Sequence, residues 1–190
     1  MCGPPSPNAF ATCHMSTGLE SLRILLVDDN PHMRAIVFAM LHGLGIKALH
    51  EARDGEQALE RIRHNPVDLA LVDFLMRPVD GVHFTREVRN SPRSPDIYLP
   101  IIMMTGHSER SRVEEARDAG VTEFVVKPLT VRGLVSRIDA AIQRPRPFVR
   151  TQSYFGPDRR RRKDPDFCGP WNRRGDPGMA PIEEFDTFEL

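Results

Sequence analysis

Short apolar runs recur through residues 21–143, separated by segments whose apolar positions repeat with a helical period. Arg23-Ile-Leu-Leu-Val27, Val67–Val72, Ile101-Ile-Met-Met104 and Glu123-Phe-Val-Val126 each stop abruptly on polar residues, and Lys47–Ala52 is a weaker run of the same kind. A continuous apolar run bounded by turn residues predicts a strand buried on both faces of a parallel sheet. Residues 32–43 carry Met33, Ile36, Val37, Met40 and Leu41 at helical spacing, with Gly43 as a stop. Asp54-Gly-Glu-Gln57 opens a second helix with Ala58, Leu59 and Ile62 on one face, ended by Asn65-Pro66. Residues 82–90, a charge-rich stretch over 108–119, and a stretch from the cap Thr130 to about Gln143 complete the set. Five β-α alternations with helices this short require right-handed crossovers. The expected fold is a doubly wound α/β domain: a five-stranded parallel sheet with helices on both faces, over residues 21–143.

The flanks lack this periodicity. Residues 1–20 are small, polar and proline-containing and are expected to be a disordered leader, with Met15 as an alternative start. Beyond Gln143 apolar residues occur singly among arginine, proline and glycine. An imperfect repeat stands there, Tyr154-Phe-Gly-Pro-Asp-Arg-Arg160-Arg161 against Phe167-Cys-Gly-Pro-Trp-Asn-Arg173-Arg174, offset by thirteen residues. Neither copy has enough apolar surface to fold by itself, so residues 144–190 are expected to be a disordered tail.

Charge sharpens that division. The chain is neutral overall, yet residues 144–174 carry 10 basic and 3 acidic groups, whereas 175–190 carry five acids and no base. Cys2, Cys13 and Cys168 all fall outside the expected domain and have no metal-like spacing, which fits a reducing, cytoplasmic compartment. No run approaches the roughly 18 apolar residues of a membrane span.

The strand ends carry the chemistry. In a doubly wound sheet the carboxyl ends of the strands share one edge, where ligands bind. That edge would hold Asp28 and Asp29 from the first strand, Asp73 from the third, Thr105 from the fourth and Lys127 from the fifth. Clustered carboxylates repel unless a cation joins them, and oxygen ligands of this kind suit Mg²⁺. A carboxylate beside a divalent ion can attack phosphorus, with an ammonium neutralising the phosphoryl oxygens and a hydroxyl bonding the product. These are the parts of a reversible aspartyl phosphate.

The same blocks resemble the response-regulator receiver family, the CheY-like phosphoacceptor domains, over about residues 21–143. They are Val-Asp28-Asp29-Asn, Asp73-Phe-Leu-Met76-Arg-Pro78-Val-Asp80-Gly81, Met-Thr105-Gly106 and Val-Lys127-Pro128. The resemblance implies that Asp73 is the phosphoacceptor. It implies Mg²⁺ held by Asp29, Asp73 and the Leu75 backbone carbonyl, with Asp28 acting largely through water. Thr105 would be the switch hydroxyl, Phe124 the aromatic switch position and Lys127 the phosphate's ion partner, with a cis Lys127–Pro128 bond. Leu75 and His107 would face the attacking water and tune dephosphorylation. Two departures stand out: Arg77 precedes Pro78 where the family places proline one residue earlier, and Phe124 lacks the hydroxyl of the tyrosine found in many relatives.

The expected function is that of a stand-alone two-component response regulator. A histidine kinase or phosphotransfer protein supplies the phosphate, and output runs through protein–protein interaction. The chain would be no enzyme beyond its own phosphotransfer and autodephosphorylation. A second reading makes it a receiver-controlled nucleic-acid-binding effector, because Arg159–Lys163 lies among Tyr154, Phe155, Phe167 and Trp171. Ile182, Phe185, Phe188 and Leu190 mark residues 182–190 as a short docking peptide.

Overall fold

The computed structural model describes residues 18–106, 110–151 and 154–159; of Arg110 and Ser111 only the backbone is described. Strands β1 (Arg23–Val27), β2 (Ala48–Ala52), β3 (Leu69–Asp73), β4 (Ile101–Thr105) and β5 (Glu123–Val126) form one parallel sheet in the order β2-β1-β3-β4-β5. Between and after them run α1 (Pro31–Gly43), α2 (Gly55–His64), α3 (Gly81–Asn90), α4 (Arg110–Ala119) and α5 (Val131–Gln143). The order reverses direction beside β1, which opens a crevice at the carboxyl ends of β1 and β3.

Alternation along each strand divides the core in two. Ile24, Leu26, Leu69, Leu71, Ile102 and Met104 face one way, onto Val37 and Leu41 of α1 and Leu134 and Ile138 of α5. Leu25, Val27, Ala70, Val72 and Ile101 face the other, onto Ala58 and Ile62 of α2 and Phe84 and Val88 of α3. Helix starts are fixed by their caps. Asn30 accepts from the His32 and Met33 amides with Pro31 in the first turn, Asp54 from Gln57, Asp80 from His83 and Thr130 from Gly133.

The ordered chain is longer than periodicity predicts, at both ends. Gly18 precedes a single 3₁₀ turn at Leu19–Ser21, and Leu19 and Leu22 pack on the core, so the leader becomes ordered before residue 21. The larger correction concerns the tail. Residues 144–159 are not simply a disordered arm: β6 (Phe148–Arg150) and β7 (Phe155–Pro157) form an antiparallel hairpin that buries Tyr154 and Phe155. The hairpin has too little apolar surface alone, but it borrows Tyr98, Arg89 and Gly120 from the domain. Residues 1–17 and 160–190, which include the second repeat copy and the 182–190 peptide, lie outside the described residues.

Candidate functional site

At the carboxyl edge of the sheet, β1 and β3 deliver their terminal acids side by side. Carboxylate oxygens of Asp28, Asp29 and Asp73 all lie within 4.8 Å of one another. Asp28 is fully buried. One of its oxygens accepts from the Asn30 amide at 2.9 Å and the other from Lys127 Nζ at 3.0 Å. Asp73 is 9% exposed, and Oδ1 receives both the Phe74 amide and Lys127 Nζ, each at 2.9 Å. Asp29 is exposed at the mouth of the crevice.

Lys127 therefore bridges two of the three acids. It arrives from β5, whose last ladder bond continues into the Lys127 amide donating to the Thr105 carbonyl at 2.7 Å, ahead of a cis Lys127–Pro128 bond. Thr105 ends β4 in the neighbouring register and is buried. Burial pushes the Asp73 carboxyl above its ordinary range. The Lys127 ammonium draws it back only in part, and Asp28 adds repulsion. Burial pulls in the opposite sense on Lys127, but hydrogen bonds to Asp73 and Asp28 outweigh it and hold the ammonium above its usual value.

Two supports stand out that sequence reasoning assigned no role. Arg34 donates from α1 to the Asp28 carbonyl at 2.8 Å and pairs with Glu51 at 3.2 Å, which braces the β1–α1 turn. Gly81 lies so close to the Asp73 carbonyl and the Met103 sulfur that any Cβ there would overlap both. An arginine four residues past a strand-end Asn-Pro step looks like any exposed helix residue, whereas Gly81 within an Asp-Gly turn was a visible signal. The loop between Asp73 and Gly81 holds a cis Arg77–Pro78 bond, so the displaced proline still sits in the turn. Leu75 is 60% exposed in that loop. Phe124 pairs in register with Met103 and packs, partly buried, on the cluster of Phe74, Val82 and Ala116 beside α4. His107 lies outside the described residues.

A family model for the response regulator receiver domain matches residues 24–139. The chain belongs to that family. The matched receiver stretch holds every acid, hydroxyl and amine of the cluster. The chemotaxis protein CheY of Pseudomonas aeruginosa is 35% identical over 123 residues, covering 65% of this chain and 98% of that protein. A response regulator structure from Chloroflexus aurantiacus aligns with TM-score 0.60 at 29% identity, covering 65% of this chain and 98% of that one. The receiver domain of a Pseudomonas aeruginosa sensor histidine kinase aligns with TM-score 0.56 at 30% identity, over 62% of this chain and 94% of that one. That structure is described with a magnesium ion coordinated in its active site cleft. The β6–β7 hairpin lies beyond the residues that the receiver model matches.

Proposed function

We propose that this receiver takes a phosphoryl group onto Asp73 from a phosphohistidine of a histidine kinase or phosphotransfer protein. The observation that carries the reading is the Lys127 ammonium seated 2.9 Å from a buried Asp73 inside a three-acid cluster. An Asp73 carboxylate oxygen attacks phosphorus as the phosphorus–nitrogen bond to histidine breaks, and the imidazole leaves with the bonding pair. Lys127 neutralises the incoming phosphoryl oxygens, and the Thr105 hydroxyl, on the adjacent strand end, bonds the product. Water later cleaves the acyl phosphate to release inorganic phosphate and regenerate the carboxylate. The protein's catalysis is confined to these two steps on itself.

The donor set suits a hard divalent ion: Asp29 and Asp73 as direct ligands with the Leu75 carbonyl, and Asp28, already engaged by Lys127, acting through water. Mg²⁺ bound there would supply charge neutralisation of the phosphoryl group. The chain acts in the cytoplasm, and its output is a protein contact altered when Thr105 and Phe124 rearrange. Among the described residues no helix is long and apolar enough to cross a membrane. The nucleic-acid reading loses support in the first repeat copy, where Tyr154 and Phe155 are buried against the domain and unavailable for stacking on bases.

Incubation with acetyl phosphate and Mg²⁺ is expected to label the chain, with no label on Asp73→Asn and none in EDTA. Labelling of Asp73→Asn at the wild-type level would remove Asp73 from the reaction.

A further inference from the structure

The three acids of the cluster are not held alike. Asp28 is fixed by the Asn30 amide and Lys127, and Asp73 by the Phe74 amide and Lys127. Asp29, exposed at the mouth of the crevice, has no hydrogen bond or ion pair to its side chain among the described residues. Its carboxylate nevertheless stands within 4.8 Å of the other two. Where that carboxylate can reach is therefore set by the backbone that carries it.

Arg34 grips that backbone on both sides. Its amide donates to the Asn30 carbonyl at 3.0 Å, the first bond of α1. Its guanidinium turns back, and Nη1 donates to the Asp28 carbonyl at 2.8 Å. The Asp28 carbonyl shares one peptide plane with the Asp29 nitrogen and Cα, so fixing the carbonyl's direction fixes where the Asp29 side chain leaves the chain. The guanidinium is aimed in turn by Glu51, which accepts from Nε at 3.2 Å and stands opposite Leu26 in the β1–β2 ladder. A planar fork serves both acceptors at once.

We propose that Arg34 is the positioning residue for Mg²⁺: by holding the Asp28–Asp29 peptide it keeps Asp29 on the ion and so sets the affinity of the site. This rests on the reading of Asp29 as a direct ligand. Its sign is opposite to that of charge alone. Arg34 is a cation beside an anionic site, and removing it leaves Glu51 without this partner, so by charge alone a cation would bind more tightly. Loss of aim does the reverse, and removing a partner behind a metal ligand typically weakens binding about 10- to 100-fold. At 0.15 M salt, where the screening length is about 8 Å, the charge contribution of this partly exposed pair is the smaller one.

Isothermal titration calorimetry of Mg²⁺ into the full-length protein at 0.15 M salt separates the two effects. Arg34→Met keeps the alkyl stem without a donor and is expected to weaken Mg²⁺ binding about tenfold. Arg34→Lys, whose ammonium again offers a donor to the Asp28 carbonyl, should recover most of the loss. Arg34→Gln puts its amide nitrogen where Nε stood, within reach of Glu51 but short of the carbonyl, and carries the expectation of Arg34→Met should that variant fail to fold. Labelling of each variant by acetyl phosphate should return to the wild-type rate at saturating Mg²⁺, because Asp73 and Lys127 are untouched. Binding as tight as wild type, or tighter, in Arg34→Met or Arg34→Gln overturns the assignment, as does a labelling deficit that saturating Mg²⁺ leaves in place. A wild-type chain that takes no Mg²⁺ overturns the underlying reading of Asp29 along with it.

Discussion

Asp73 is held where its charge is costly. Burial raises its carboxyl above the usual range, and Lys127 draws it back only in part, so the carboxylate is disfavoured relative to its state in the unfolded chain. A carboxyl raised on folding gives its full stability below the unfolded value, about 4, and loses it as pH climbs through the folded value. Asp73→Asn is therefore expected to be more stable than wild type at pH 7 in EDTA, with the gap closing as pH falls below that range. Urea denaturation across the pH series measures it, and a gap that widens on acidification contradicts the assignment. Arg89 shows the opposite economy. It is 2% exposed and pulled down to about 10 by burial, yet stays charged while donating to the carbonyls of Gly120, Ile97 and Leu99. In the sequence it is one more basic residue in a helix's last turn, a place where arginine needs no partner beyond the helix dipole.

At the level of elements, the strands and the acid cluster were legible because one property serves both. A parallel strand buried on both faces must be apolar throughout, so the first polar residue after it marks the ligand edge. Asp28, Asp73, Thr105 and Lys127 announced themselves in that way, and the structure brings both acids onto Lys127. Gly81 is where element geometry meets chemistry. A methyl group there would press on the Asp73 carbonyl and displace the start of α3. Gly81→Ala is expected to slow labelling from acetyl phosphate by on the order of 10²-fold through misplacement of the acid. Circular dichroism should remain that of the folded domain. Wild-type labelling kinetics in this variant would show that the β3–α3 turn tolerates the shift.

Across the whole molecule, the hairpin was the part the sequence concealed. Phe148, Tyr154 and Phe155 stand isolated among arginines and prolines, and their burial depends on Arg89, Tyr98 and Gly120, which lie 35 to 59 positions earlier in the chain when matched as Phe155 to Gly120 and Phe148 to Arg89. No local period records such a contact. A chain ended at Gln143 is expected to fold but to lose about 3 kcal/mol, roughly the burial of two aromatic side chains. Equal urea midpoints for the two lengths would show that the hairpin contributes nothing.

The central claim is that Asp73 carries the phosphoryl group, and mapping the label tests it most directly. After reaction with acetyl phosphate and Mg²⁺, peptide mass spectrometry should place a single hydroxylamine-labile phosphoryl group on the peptide containing Asp73. A hydroxylamine-stable label, or one on a peptide without Asp73, would contradict the account.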